Sequence, residues 1–355
     1  MTTVDTTATT GAPAWPVGSP DSDRPGWPSS DAIRLHRLMF GYVGSTALFS
    51  ALELGLFEAL AERPGPAEEV GRRLGLPDRS IRLLLLALQG EGVVERTGPD
   101  FHNSPMAVRF LLAASPEFVG SLAAHQAAHY QRFCQLTTVL RENEPVRAKV
   151  DADHPQFGGP ARFAQITRTA ARMMMVDGFA RQTSFAGQRH LVDLGCGSCV
   201  YSIAVARQNP HLRITAMDRP SVCELARESV AAAGLDDRIT IVPGDIFADT
   251  VPGGDVAMLS NVAEGFTSER AAQLVAHVHG WLPEGGELII HSHMWEVAGT
   301  SFPYTVGLIL AVNNPMGGEP YGEAVTRDWL SGAGFRDIAP AAVVSPISAV
   351  VRAVK

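Results

Sequence analysis

The chain has 355 residues, 46% of them hydrophobic and 19% charged, a make-up that folds around a substantial interior and, at this length, around two domains plus a tail. Its formal net charge of −8, with no local cluster of basic residues, works against general affinity for nucleic acid. It has no apolar run long enough to span a bilayer and no basic-then-apolar signal order at its start, so the expectation is a soluble, cytoplasmic protein that takes neither nucleic acid nor membrane as partner.

Residues 1–28 mix Thr, Ser, Pro and Gly without periodicity and predict a disordered leader. From Asp31, a plausible N-cap, apolar residues recur at steps of three and four and predict a long apolar helix from Leu35 to Ala61. "AEEVGRRLGL" and "PDRSIRLLLLALQGEG" then read as two short helices, and "VVERTGPDFHNS" as two short strands around Gly98, which together make a winged helix over residues 29–120. Its second helix, Ser80 to Gln89, carries one arginine and four consecutive leucines, where a recognition helix needs base-reading side chains. A structural or dimerisation module is the reading, and a DNA-binding regulator the rival one. Residues 121–182 read as linking helices.

From residue 183 to 355 short apolar strands alternate with helices: "HLVDLG", "RITAMD", "ITIVPGD", "DVAMLSN" and "GELIIHSHMW". Such alternation predicts an α/β domain with a parallel, doubly wound, Rossmann-like sheet, whose ligand lies beyond the carboxyl ends of the strands. Gly195 and Gly197 follow the first strand, and Asp218, 25 residues after Asp193, ends the second and can accept a ribose's hydroxyls. The turn departs from the dinucleotide pattern G-x-G-x-x-G at Val200. Asp193 just before the glycines repels a diphosphate and attracts an ammonium group, so the site suits a nucleoside that bears an amino acid. Cys196 and Cys199 form a C-x-x-C inside this turn, but no second pair follows among the four cysteines, and reduced thiols are expected.

"VDLGCGS", Asp218 and "GDIF" (Gly244 to Phe247) resemble in order and spacing the S-adenosylmethionine signature of class I methyltransferases. With the winged helix and "LSNVAEGFTSERA", residues 31–355 resemble the small-molecule O-methyltransferase family that includes caffeic acid and anthracycline methyltransferases. The resemblance implies a homodimer and S-adenosylmethionine as cofactor. By position, Asp193, Gly195 and Gly197 line its methionine end, Asp218 its ribose, and Asp245 with Phe247 its adenine. The family's third glycine is Cys199 here.

The family removes the acceptor's proton with a histidine in a His-Asp-Trp segment, supported by a glutamate at the end of the fifth strand. The matching segment here is Glu264-Gly265-Phe266, and the glutamate position falls on Ser292. A phenol of pKa about 10 gives its proton to an ordinary histidine uphill by roughly 5 kcal/mol and to an ordinary glutamate uphill by roughly 8 kcal/mol. Glu264 as base therefore needs a pKa raised by burial, or an acceptor more acidic than phenol, as in carbon methylation. Otherwise it is no base, and the cofactor fold serves a non-methylating rearrangement. His291 and His293, two apart on a strand, are the replacement bases. His125 and His129 share a helix face at the acceptor, where Met174, Asn313 and Asn314 also fall. Both histidine pairs have spacings that a metal could use, but neither follows a metal motif, and no metal is expected.

Overall fold

The computed structural model describes residues 29–146, 159–296 and 302–355, and the predicted leader lies outside them. The chain divides into two units between Ala127 and Ala128.

The first unit opens with α1, Ser30–Glu53. Its N-cap is Ser29 rather than Asp31: the Ser29 hydroxyl accepts the Ala32 N–H at 3.2 Å, and Asp31 sits in the first turn, where its charge favours the helix dipole. The predicted single helix is broken at Gly55, whose φ of 70° is left-handed, and α2, Leu56–Glu62, departs at 62° to α1. No single helix among the described residues is long and apolar enough to cross a membrane. Next come α3 (Ala67–Leu74), α4 (Asp78–Gly90), the antiparallel strands β1 (Val94–Thr97) and β2 (Asp100–Asn103) turning at Gly98, and α5 (Pro105–Phe110).

Phe57, Val70, Ile81, Leu85, Leu88 and Phe101 form the core of this unit. On α4 the residues at helical spacing, Ile81, Leu85 and Leu88, point inward and leave Leu83 and Leu86 exposed. The outer face of α4 thus sets Leu83 and Leu86 beside the exposed Arg79 and Arg82. α1 exposes Leu35, Leu38, Met39, Phe40 and Val43, with Leu38 80% exposed, a contiguous apolar face of the kind that marks an interaction surface.

α6 (Gly120–Phe133) spans the division, and α7 (Leu136–Glu142), α8 (Gly159–Met174) and α9 (Val176–Gln182) follow. The second unit then lays down β3 (His190–Leu194), α10 (Val200–Gln208), β4 (Arg213–Asp218), α11 (Pro220–Ala233), β5 (Ile239–Pro243) and β6 (Val256–Ser260). A 3₁₀ turn, Ala263–Gly265, leads to α12 (Ser268–Trp281), β7 (Glu287–Ser292), α13 (Phe302–Asn313), α14 (Glu323–Ala333), β8 (Ala342–Ser345) and β9 (Ser348–Val354).

The strands form one sheet in the order β5-β4-β3-β6-β7-β9-β8. The first five are parallel as predicted, but β9 runs antiparallel to β7 and to β8, so the sheet is mixed. The reason is local. Only Pro346 and Ile347 join β8 to β9, a link that closes a hairpin but cannot make the crossover of a parallel pair. Apolar layers cover both faces, with Phe179, Phe185 and Ile203 on one and Leu274, Val275 and Leu330 on the other. β6 is buried along its whole length, which explains its unbroken apolar run. Strand order reverses between β3 and β6, and the crevice at their carboxyl ends is where an open α/β sheet takes its ligand.

Candidate active site

The glycine turn leaves β3 and folds over the end of β4, the N–H groups of Gly195 and Cys196 donating to the Met217 carbonyl at 2.9 and 3.1 Å. Gly195 has φ 74°, and a Cβ there would lie 2.7 Å from Val262, so both conformation and close approach require glycine. Cys199, at the family's third glycine, itself adopts a left-handed φ of 58° and caps α10.

Asp218 uses Oδ2 to accept the Gly197 N–H at 2.8 Å and Oδ1 to accept the Arg219 N–H at 2.7 Å. Asp245 accepts the Phe247 N–H at 2.9 Å. The Phe247 ring meets Phe266 edge to face at 4.9 Å and lies 3.9 Å from the Arg270 guanidinium. Asp193 is buried and accepts the Ser202 hydroxyl at 2.6 Å; burial pushes its carboxyl up to about 7 against that hydrogen bond, and the charge of Asp218 adds to the rise. Three carboxylates thus stand at or just past the ends of three neighbouring strands. They repel phosphates and fit a ligand that carries a cation and hydroxyl groups.

Across the crevice, Asn261 follows β6 and the 3₁₀ turn aims Glu264 at the end of β7. The buried Glu264 carboxylate receives four donors. Oε1 accepts Nδ1–H of His293 at 2.8 Å and the Asn261 amide at 3.1 Å; Oε2 accepts the His293 backbone N–H at 3.0 Å and the Ser292 hydroxyl. Because a carboxylate cannot donate, these partners assign the His293 proton to Nδ1. Nε2 makes no hydrogen bond among the described residues.

Burial by itself pushes the Glu264 carboxyl up, but His293 and the other donors outweigh it and hold it down at about 2. The expectation of a carboxyl raised by burial is therefore reversed. For His293, burial pulls the imidazole down and the adjacent carboxylate more than restores it, so its pKa stands above the ordinary value. Ser292, where the family has its glutamate, is small enough to admit Glu264 from the opposite strand.

His291 has a different environment from His293, although the strand period placed the two on one face. His293 lies beyond the last residue of β7 and leaves the strand's alternation. His291 is wholly buried, with ring centres 4.7 Å from Phe179 and 5.1 Å from Tyr201, and Nε2 2.9 Å from the Ser348 hydroxyl. Burial pulls its pKa down to about 3, so it is neutral in the core. Among the described residues no group of three or more His, Cys, Asp or Glu side chains is arranged to hold a metal.

Of the residues read as acceptor contacts, Asn313 accepts Arg132 at 2.7 Å and donates to the Ile309 carbonyl at 2.8 Å. Asn314 donates to the Gly265 carbonyl at 2.8 Å and accepts the Met316 N–H at 3.0 Å, so its amide holds the turn that carries Glu264. Met174 is half-buried against the core beside α10. His129 is buried and His125 half-buried on α6. Sequence reasoning missed Asn261, Tyr201 and Phe266. Asn261 and Phe266 lie inside the stretch already singled out, three and two residues from Glu264, where their spacing alone carried no role.

A Rossmann-like sheet with this glycine turn and these strand-end acids defines a class I S-adenosylmethionine-dependent methyltransferase. The comparisons agree. Residues 159–336 match the O-methyltransferase domain and residues 36–113 the O-methyltransferase dimerisation domain. The chain is 31% identical over 322 residues to 3-hydroxy-5-methyl-1-naphthoate 3-O-methyltransferase of Streptomyces sahachiroi, covering 87% of this chain and 91% of that one. It is 29% identical to L-tyrosine C(3)-methyltransferase of Streptomyces lavendulae over 90% of both. Human N-acetylserotonin methyltransferase, solved in complex with SAM, shares the fold at 21% identity with a TM-score of 0.80, covering 93% of this chain and 99% of that one. The chain belongs to the O-methyltransferase family. It is a methyltransferase of small molecules, with S-adenosylmethionine as its cofactor.

Proposed function

We propose that this enzyme methylates a phenolic or enolic oxygen of a secondary metabolite in an antibiotic pathway, with His293 taking the acceptor's proton on Nε2 and Glu264 holding the imidazole. The observation that carries this reading is the Glu264–His293 pair at 2.8 Å. Bound S-adenosylmethionine supplies a methyl group on a positively charged sulfur. Asp193, Gly195 and Gly197 hold its amino-acid end, Asp218 its ribose, and Asp245 with Phe247 its adenine; the three strand-end carboxylates support this placement.

Proton energetics choose between the two candidate bases. With its carboxyl held at about 2, Glu264 accepts a phenol's proton uphill by roughly 11 kcal/mol, whereas an imidazole raised above its ordinary pKa needs less than roughly 5 kcal/mol. The family's acid and imidazole have exchanged strands: the acid stands on the turn after β6 and the imidazole at the end of β7. Carbon methylation is a second reading, favoured by the tyrosine C-methyltransferase among the relatives; removing a phenol's proton also serves an attacking ring carbon. The dimerisation domain and the apolar face of α1 support a homodimer, and the exposed Leu83 and Leu86 of α4 support protein rather than DNA as its neighbour. We place the enzyme in the cytoplasm.

The test is turnover of 3-hydroxy-5-methyl-1-naphthoate and simpler naphthols with a methyl-labelled donor, by wild type and by His293→Gln. The expected result is a methoxy product and a loss of about 10²- to 10⁴-fold in kcat for the variant, with unchanged affinity for S-adenosylhomocysteine. A variant that turns over at the wild-type rate refutes the base role. Carbon-13 NMR of the product separates a methoxy from a ring methyl group.

A further inference from the structure

One buried chain of hydrogen bonds joins the cofactor turn to the acid–imidazole pair. Tyr201 is the second residue of α10, the helix that the glycine turn opens into, and its hydroxyl donates to Asn261 Oδ1 at 3.0 Å. The other end of the Asn261 amide donates to Glu264 Oε1 at 3.1 Å and lies 3.2 Å from His293 Nδ1, so amide and imidazole converge on one carboxylate oxygen. Asn261 is itself held in place. Its φ is 56°, in the left-handed region that few side chains other than Asn and Asp enter readily, and its backbone N–H donates to the His291 carbonyl at 2.8 Å. The next residue, Val262, is the one packed against Gly195.

We infer that Asn261 is a positioning residue: its carboxamide sets the Glu264 carboxylate, and through it the His293 imidazole, while Tyr201 ties that setting to the helix behind the cofactor turn. This rests on His293 as the base. With one lone-pair direction of Oε1 taken by the Asn261 amide, the other is left for Nδ1–H and fixes the direction in which the imidazole is held. Burial, Glu264 and Asp193 raise the Tyr201 hydroxyl, which stays protonated and donates to Asn261 Oδ1 at 3.0 Å, with the weaker acceptor Met175 Sδ 3.7 Å away. The titratable groups facing the pair are His291 on β7, held neutral, and Tyr201 on α10, while Asp193 at the end of β3 acts on the Tyr201 hydroxyl.

Removing the Asn261 donor leaves Oε1 a stronger acceptor for Nδ1–H and stabilises the imidazolium. The sign is therefore opposite to that of removing Glu264. Asn261→Gly keeps the left-handed backbone at no steric cost and deletes only the amide. Asn261→Asp also tolerates that backbone but sets a second carboxylate against Glu264. Tyr201→Phe keeps the ring contacts with Phe179 and His291 and deletes the hydroxyl.

The experiment is the pH profile of kcat/KM for these three variants, together with the NMR titration of the His293 ring in each folded protein. Expected for Asn261→Gly is an imidazole pKa and acid limb moved upward by about one unit, with kcat about tenfold lower and KM for S-adenosylmethionine unchanged. Asn261→Asp moves both further upward, and Tyr201→Phe moves them in the same direction by less. An imidazole titration unmoved in folded Asn261→Gly overturns the inference, even if Tm falls, because Asn261 is then only a strand-end cap. If the imidazole moves but His293→Gln still turns over normally, the base assignment fails while the positioning network stands.

Discussion

Glu264→Gln keeps the shape of the side chain and removes its charge, which makes it the sharpest probe of the acid–imidazole pair. The carboxylate lies 2.8 Å from Nδ1 with both groups buried, and losing one partner of such a pair costs about 3–5 kcal/mol. At about 1.4 kcal/mol per unit, the imidazole pKa falls by roughly 2–4 units, because burial then acts unopposed. In the wild type kcat/KM rises with pH as the raised imidazole loses its proton. In the variant His293 is neutral across the assay range, so the acid limb flattens and moves to lower pH. The plateau also drops, by about 10- to 100-fold, since a less basic imidazole held by a carboxamide drives the proton transfer less well. The assay is initial rates from pH 5 to 10 at saturating methyl donor, with the affinity for S-adenosylhomocysteine as the control for an intact cofactor site. A variant with the wild-type limb and plateau would falsify the pairing as a functional unit.

Three further outcomes follow from the cofactor side and the first unit. Asp218→Ala leaves the Gly197 and Arg219 N–H groups without their acceptor, and calorimetry with S-adenosylhomocysteine is expected to show affinity lower by about 10- to 100-fold; equal affinity refutes the ribose assignment. Asp193 ionises in the folded enzyme only near 7, so between its unfolded pKa of 3.8 and 7 the folded state holds the extra proton and stability falls as pH rises, by up to about 4 kcal/mol. Urea unfolding at pH 5 and pH 7 should show that fall in the wild type and its loss in Asp193→Asn, whereas equal slopes in the two proteins contradict it. Leu38→Asp charges the most exposed apolar side chain of α1, and sedimentation should show a homodimer turned to monomer without loss of helix; an unchanged dimer would move the interface elsewhere.

The glycine turn and the strand-end acids were legible because their requirements are local. Left-handed φ favours glycine at Gly195 and Gly197, a close neighbour adds to it at Gly195, and acids at strand ends are marked by the end of the apolar run. The five parallel strands announced themselves in the same way, through short apolar runs, of which β3, β6 and β7 are buried along nearly their whole length. The break at Gly55 and the antiparallel β8 and β9 were less legible. A glycine within an apolar helical pattern is often tolerated, and a short strand does not declare which neighbour it joins.

The Glu264–His293 pair was legible as residue types but not as an arrangement. Glu264 and His293 both stood out in the sequence, yet as rivals for one role. Only the tertiary structure brought the end of β7 against the turn after β6 and made them partners. The same packing parted His291 from His293, two residues away, by closing Phe179 and Tyr201 around the first and setting a carboxylate beside the second. Residue type sets a group's ordinary proton affinity, and the sequence by itself therefore determined which groups could carry charge and which turn could hold the cofactor. Whether a buried group is raised or lowered depends on donors and charges a few ångströms away, contributed by strands distant in the chain. The direction of the shift at Asp193, Glu264, His291 and His293 belonged to the fold alone.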